Sequence, residues 1–430
     1  MGVVGCILGF LVVIYLCYKD WSVYIASIVG AAVVIAFNVL PFMDTLLDSY
    51  VNGMFVPIKS FFFLLLFGSI QSKIYSESGA AFSIADTIMS KLLRPGASNT
   101  KKNVIAVAVI VAIGIILCMG GINASVFIVL MYPVALTIFE FILGVLAAAS
   151  YTFTLTMPGS PQVTNVAAMT ALGTAADVAL VPGLVGAAVE VIVIIVLMNI
   201  YINKARAKGE HFELHPLDPH YDKNTPRPNF WIALIPLVAL FVSFNILKIN
   251  INICVIGSTV LSILLFWKQL KAKNLRELIS TGAADSIHMS LTVAAICGFA
   301  GVVTNTEAFT TMLNAITSIN MSPMLICAVV VAVMCMLTGG SSTGQLISLP
   351  LIAPKLLDLG LNVNAIHRIA CFAATTLDSM PYSGAILMLL PMCRMKLKEI
   401  YPPMFITTVI ATTCGTIAVI VMCALFPGLC

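Results

Sequence analysis

Apolar residues run along this chain in blocks broken by brief polar stretches. Blocks of about 17 to 25 residues with few or no charges are long enough to cross a bilayer as helices. Membrane β-barrels are built from short alternating strands instead, so they are excluded. The blocks predict spans at 2–18, 21–40, 54–70 and 183–203, and again at 230–248, 251–267, about 286–304 and 403–425. In both sets the third span is followed by a less hydrophobic segment. Next comes an apolar run ending in a double glycine with small polar residues, CMGGINAS at 118–125 and LTGGSSTG at 337–344. A Met-Pro pair then interrupts an apolar run, in LTMPGSPQVT at 155–164 and in LDSMPYSGAI at 377–386. The segment KARAKGEHFELHPLDPHYDKNTPRPN, 204–229, is rich in charge, proline and histidine and reads as a linker. The matching order on its two sides predicts an internally duplicated transporter fold, 1–203 and 230–430.

Composition agrees with this pattern. Of 430 residues, 60% are hydrophobic and 9% charged, with a mean hydropathy of +1.07. A soluble domain could not cover that much apolar surface, so the chain reads as an all-α polytopic membrane protein. Residues 2–18 have no basic stretch before them and no small-residue cleavage site, which makes them a first span and not a removable signal peptide. The twelve cysteines are scattered singly through apolar runs without a C-x-x-C, so they read as small buried hydrophobes, with no metal site or disulfide framework. No cofactor motif and no nucleic-acid signature is present.

The net charge of +4 informs topology, because short cytoplasmic loops carry the excess of Lys and Arg. After the third span of the first set come Lys73, Lys91, Arg94, Lys101 and Lys102, whereas residues 305–322 carry no basic residue. The pattern reverses after the Met-Pro pairs: residues 166–182 have none, while the second copy has Arg394, Lys396 and Lys398. A side that is inside in one copy is outside in the other. The expectation is an inverted repeat in the cell (inner) membrane, with the linker and the loop at 267–277 cytoplasmic and both termini outside.

Irregular backbone at membrane depth is tolerated only where it is buried in protein or lines a watery cavity, since each unsatisfied N–H or C=O there costs several kcal/mol. Four such interruptions in symmetric pairs therefore mark a site. The double glycines read as tips of re-entrant hairpins near 119–125 and 338–344, and the Met-Pro pairs as breaks in crossing helices near 157–165 and 378–384. Gly120, Gly121, Gly339 and Gly340 have helix packing as the alternative reading. Helix fragments ending near the midplane present free N–H groups and a positive dipole end, which suit a carboxylate. The candidate substrate-binding residues are Gly121, Asn123 and Ser125; Gly159, Ser160, Gln162, Thr164 and Asn165; Gly340, Ser341, Ser342 and Thr343; and Ser379, Tyr382, Ser383 and Gly384. Asp378 is the candidate for the coupling proton, because an acid inside a span is costly and functional by default; capping a helix fragment near Ser379 or pairing with Arg368 are the structural alternatives. Glu140 and Asp177 fall nearer helix ends, where a solvated carboxylate is ordinary.

Two further motifs have blander explanations. GSSTG at 340–344 matches the G-x-S-x-G elbow of serine hydrolases, and His367 and Asp378 would complete a triad, but the elbow needs a strand-turn-helix setting. His211, His215 and His220 resemble metal ligands but lie in a proline-rich solvated loop.

HRIACFAATTLDSMPYSGAI at 367–386 is similar to the second-half signature of the gluconate permease family, in which a histidine-containing lead-in precedes an LDSLPHNGA-like stretch. MPGSPQVTN at 157–165 resembles the MPGTPQ-x-x-N form of members related to small hydroxy- and keto-acid permeases. The likeness covers the arrangement of nearly the whole chain, but its specific motifs are confined to the four interruptions. It implies membership in the ion transporter superfamily, whose divalent anion/sodium symporters share paired hairpins and broken helices. It further implies a dimeric, proton-coupled symporter of small organic anions, with sodium as the alternative ion, in which a moving part carries the site in an elevator-like motion. The family's substrate-contacting positions fall on Gly121, Asn123, Ser125, Ser160, Gln162, Ser341 to Thr343, Asp378, Ser379, Tyr382 and Ser383. Sugar-acid permeases carry histidine and asparagine where this chain has Tyr382 and Ser383, and the family's His-Pro run is missing from the first break. Both departures point to a smaller, less hydroxylated carboxylate than gluconate.

Overall fold

The computed structural model describes residues 1–19, 21–92, 99–122, 153–209, 226–271, 273–317, 321–380, 383 and 397–430. Among these residues the structure is helical, with no strand. Before the linker segment come α1 (Gly2–Tyr18), α2 (Val23–Phe37), α3 (Phe42–Glu77), α4 (Ala80–Leu92), α5 (Asn99–Met119), α6 (Phe153–Thr156), α7 (Val163–Leu172) and α8 (Leu180–Ala207). After it come α9 (Phe230–Ile246), α10 (Ile251–Leu265), α11 (Leu275–Thr304), α12 (Glu307–Thr317), α13 (Pro323–Thr338), α14 (Ser341–Asp358), α15 (Val363–Ala374) and α16 (Tyr401–Leu425). Among the described residues, α3, α8, α11 and α16 are long and apolar enough to cross a membrane. The outer faces are apolar as well, with Leu11, Ile192, Val196, Ile253 and Leu264 exposed, as expected where lipid is the solvent.

Expected and observed bounds differ most at the third helices. α3 begins at Phe42 and not 54, because a π turn at Leu46–Tyr50 carries the helix through Asp44 and Asp48 without a break. α11 begins at Leu275 and not near 286. Asn274 caps it by accepting from the Glu277 N–H, so the charged stretch around Arg276 and Glu277 is already helical.

α3 and α11 make the most extensive helix pairing among the described residues. Their backbones touch where glycines cross: a Cβ on Gly53 would stand 2.5 Å from the Cys297 carbonyl oxygen, and one on Gly301 2.5 Å from that of Ser49. Small residues allow this approach, which replaces the hydrophobic drive that is missing between helices in lipid. A second packed group joins α7, α13, α14 and α15, with α8 and α16 alongside.

Candidate functional site

The second double glycine turns the chain between two helices. Gly339 ends α13 in the left-handed region at φ 62°, and Gly340 is extended and opens α14. The arms fold back on one another closely enough that a Cβ on Gly344 would lie 2.5 Å from the Cys335 backbone nitrogen. The first double glycine likewise ends α5, with Gly121 at φ 88°. Both of its glycines also pack on α9, where a Cβ on Gly120 would meet Leu237 at 2.4 Å and one on Gly121 would meet Leu240 at 2.4 Å. Gly120 thus serves helix packing as well. Asn123, Ser125, Tyr382, Gly384, Glu140 and the three linker histidines lie outside the described residues.

The first Met-Pro pair separates α6 from α7. Gly159 adopts φ 73°, and its N–H donates to the Ala176 carbonyl at 2.9 Å. The Ser160 hydroxyl donates to the Thr154 carbonyl at 3.2 Å and accepts from the Gln162 N–H at 3.3 Å. Gln162 then reaches away, its amide donating to the carbonyls of Cys118 at 2.7 Å and Ile122 at 2.9 Å. One side chain therefore ties the first break to the first double-glycine turn. Asn165 donates to the carbonyls of Ser160 and Ala176 at 2.8 and 3.1 Å, which fixes its amide orientation and leaves its oxygen to accept from His367 Nε2 at 2.8 Å. His367 Nδ1 meets the Thr174 hydroxyl at 2.6 Å.

The helix beginnings on either side of the linker meet. Thr164, in the first turn of α7, and Ser341, in the first turn of α14, share a hydrogen bond of 2.9 Å in the buried interior. First-turn N–H groups lack intrahelical acceptors and carry the positive end of the helix dipole, so two such ends converge here. The second Met-Pro stretch adds an acid. α15 ends at Ala374, four residues before Asp378, so this break opens earlier than 378–384. Asp378 is buried, with the Ser379 hydroxyl donating to its carboxylate at 2.8 Å and Ser341 also lying against it. Ser383 donates to the Gly339 carbonyl at 3.3 Å, pinning this break to the hairpin tip. Ser342 and Thr343 complete the buried first turn of α14. A surface cleft lined by Ser83, Thr87, Arg227 and Asn229 shares no residue with this assembly.

The expected alternative pairing of Asp378 with Arg368 does not occur. Arg368 is fully buried and donates to the carbonyls of Thr156, Ala176 and Val178 at 3.3, 2.9 and 2.8 Å. It gathers the backbone around the first break because carbonyls freed from a helix need donors in a dry interior. The Ala176 carbonyl accepts from Gly159, Asn165 and Arg368 together. Asp177 is partly exposed and pairs with Lys248 at 2.7 Å. Burial is the largest influence and works to raise its pKa, but the hydrogen bond from Lys248, a backbone hydrogen bond and the charges of Lys248 and Arg368 together outweigh it and hold the carboxyl below the usual range.

Sequence reasoning missed three residues of this interior. Arg368 was weighed only as a partner for Asp378. Gln345 is fully buried in the second turn of α14, its amide without a hydrogen-bond partner among the described residues. Glu190 is fully buried in α8 and accepts from the Thr156 hydroxyl at 2.9 Å. The signal that singled out Asp378, an ionisable group inside an apolar run, applied equally to Glu190. GSSTG opens α14 directly after the end of α13, without the strand of a hydrolase elbow, and both ring nitrogens of His367 are engaged by Asn165 and Thr174.

Similarity to known proteins fits this architecture. No family model matches the chain. It is 24% identical to the uncharacterized transporter YxjC of Bacillus subtilis (strain 168), over 87% of this chain and 88% of that protein. Its fold is similar to that of the YdaH transporter of Alcanivorax borkumensis in its crystal structure, with a TM-score of 0.50 and 12% identity over 90% of each chain. The chain is a multi-pass membrane protein, helical without strands among the described residues, with a transporter's fold.

Proposed function

We propose that this chain is a secondary active transporter that carries a small organic anion, a hydroxy-, keto- or sugar-acid carboxylate, together with protons. The observation that carries this reading is the meeting of α7 and α14 at Thr164 and Ser341, with Asp378 beside them. Two positive helix ends and a set of short hydroxyls make a place for a carboxylate. An ionised Asp378 competes with the substrate for that place, since two carboxylates do not share one anion site. Protonation of Asp378 frees Ser341 and the α14 terminus for the substrate, so proton and anion load together. That competition is the coupling. Around this site we infer the inverted repeat, re-entrant hairpins and elevator-like motion, in a homodimer of the inner membrane with a cytoplasmic linker and outside termini.

The test is uptake of a panel of labelled small carboxylates into proteoliposomes under an imposed proton or sodium gradient. Proton-driven accumulation of a panel member supports the reading. Sodium-driven accumulation keeps the transporter and moves the coupling ion to the hairpin tips. Uptake of no panel member under either gradient refutes an organic-anion transporter.

A further inference from the structure

Glu190 lies well inside α8, the helix from Leu180 to Ala207, and is fully buried. Its carboxyl faces the last residue of α6, just before the first break, where Thr156 donates to Oε2 at 2.9 Å. The other oxygen, Oε1, has no hydrogen-bond partner among the described residues. Across from it, α16 presents Gly415: a Cβ there would stand 2.4 Å from Glu190 Cγ and 2.8 Å from Oε1. The carboxyl thus occupies space that a glycine leaves for it. Thr156 joins it to Arg368, whose guanidinium donates to the Thr156 carbonyl on the other side. One residue at the break therefore touches a buried acid from α8 and a buried base from α15.

An acid inside a span is expensive to keep and is functional by default. A lone carboxyl with one hydroxyl neighbour is too poor in oxygens for a metal cation, which takes six or more ligands when it is calcium-like, and the described residues hold no cluster of metal-ligating side chains. A proton needs only one oxygen. Resting on the transporter reading above, we infer that Glu190 is a second proton-exchanging carboxyl of the transport cycle. It binds and releases a proton on Oε1 while Arg368, through Thr156, holds the first break in register with it. Among the described side chains, the packed elements bring one charge to this neighbourhood, Arg368. Their other described titratable groups are His367, held by Asn165 and Thr174, the thiols Cys118, Cys371, Cys414 and Cys423, and Tyr401.

The test compares wild type with Glu190→Gln and Glu190→Asp in proteoliposomes, reading gradient-driven accumulation and substrate counterflow at equal pH. Glu190→Gln is expected to lose accumulation above equilibrium while counterflow persists, with Glu190→Asp restoring part of the accumulation. Wild-type accumulation and pH profile in Glu190→Gln would overturn the inference, as would loss of counterflow together with accumulation, which marks a structural role. A substrate-free measurement separates this from failure of the transporter reading. In pH-difference infrared spectra of the purified protein, a titrating carboxyl band should be present in wild type and missing in Glu190→Gln. Identical spectra for the two proteins would overturn the inference even if transport of an anion were proven.

Discussion

Thr164 and Ser341 stand 177 residues apart in the chain and 2.9 Å apart in space, each in the first turn of its helix. Neither helix could hold its polar start in the interior alone. Joined, each hydroxyl supplies the other's partner at the point where two helix dipoles converge. Thr164→Val and Ser341→Ala should each destabilise the protein by about 1 kcal/mol, and the double variant by less than their sum. Thermal unfolding of the three purified variants checks the coupling. Strictly additive losses would show that the contact contributes nothing.

The hairpin tip separates two glycines that look alike in sequence. Gly340 is extended and has open space, its nearest neighbour being Thr343 Oγ1 at 3.6 Å, whereas a side chain on Gly344 runs into the Cys335 backbone. Gly340→Ala should leave folding nearly unchanged, while Gly344→Ala should cost about 2 kcal/mol or more by forcing the arms of α13 and α14 apart. Size-exclusion behaviour and melting temperature of the two variants decide it, and equal effects would contradict the packing described.

Arg368 holds three carbonyls with a planar set of donors that an ammonium cannot reproduce. Arg368→Lys and Arg368→Met should each lose about 3 kcal/mol or more, well beyond His367→Gln, for which about 1 to 2 kcal/mol is expected. Denaturation in detergent ranks the three, and full tolerance of Arg368→Lys would contradict the role assigned to its fork of N–H groups.

Asp177 and Lys248 give a pH dependence of known sign. The folded-state pKa of Asp177 lies below its unfolded value of about 3.9. The pair's contribution is therefore present above about pH 4 and is lost as pH falls through the lower folded value. Both side chains are substantially exposed, so solvent screening holds the effect to under about 1 kcal/mol. Asp177→Asn should lower the melting temperature slightly at neutral pH and converge with wild type on acidification. An Asp177→Asn deficit that grows toward acid would reverse the assignment.

The interruptions of this fold were legible because they break an otherwise monotonous code. Double glycines and Met-Pro pairs stand out against leucine and valine, and Gln162, Asn165 and Ser341 were found through them. Glu190 carries the same mark as Asp378, an acid inside an apolar run, but lies away from any interruption, and Gln345 falls one residue past the GGSSTG stretch. The significance of Glu190 comes from what distant parts of the chain present to it, Thr156 and Gly415. The use of Arg368 was invisible. Its acceptors are backbone carbonyls freed by a break some 200 residues earlier, and a carbonyl leaves no mark in a sequence. α3 and α11 start earlier than the apolar blocks that predict them, because a π turn and an Asn cap let the helices continue through charged residues.

The central claim is that the proton and the anion meet at Asp378. The most direct measurement is proton-gradient-driven uptake of the best panel carboxylate by wild type and by Asp378→Asn in matched proteoliposomes. The expected result is accumulation by wild type and only equilibration, without response to the gradient, by Asp378→Asn. Gradient-driven accumulation of equal extent in the variant would contradict the account and reduce Asp378 to a structural partner of Ser379 and Ser341.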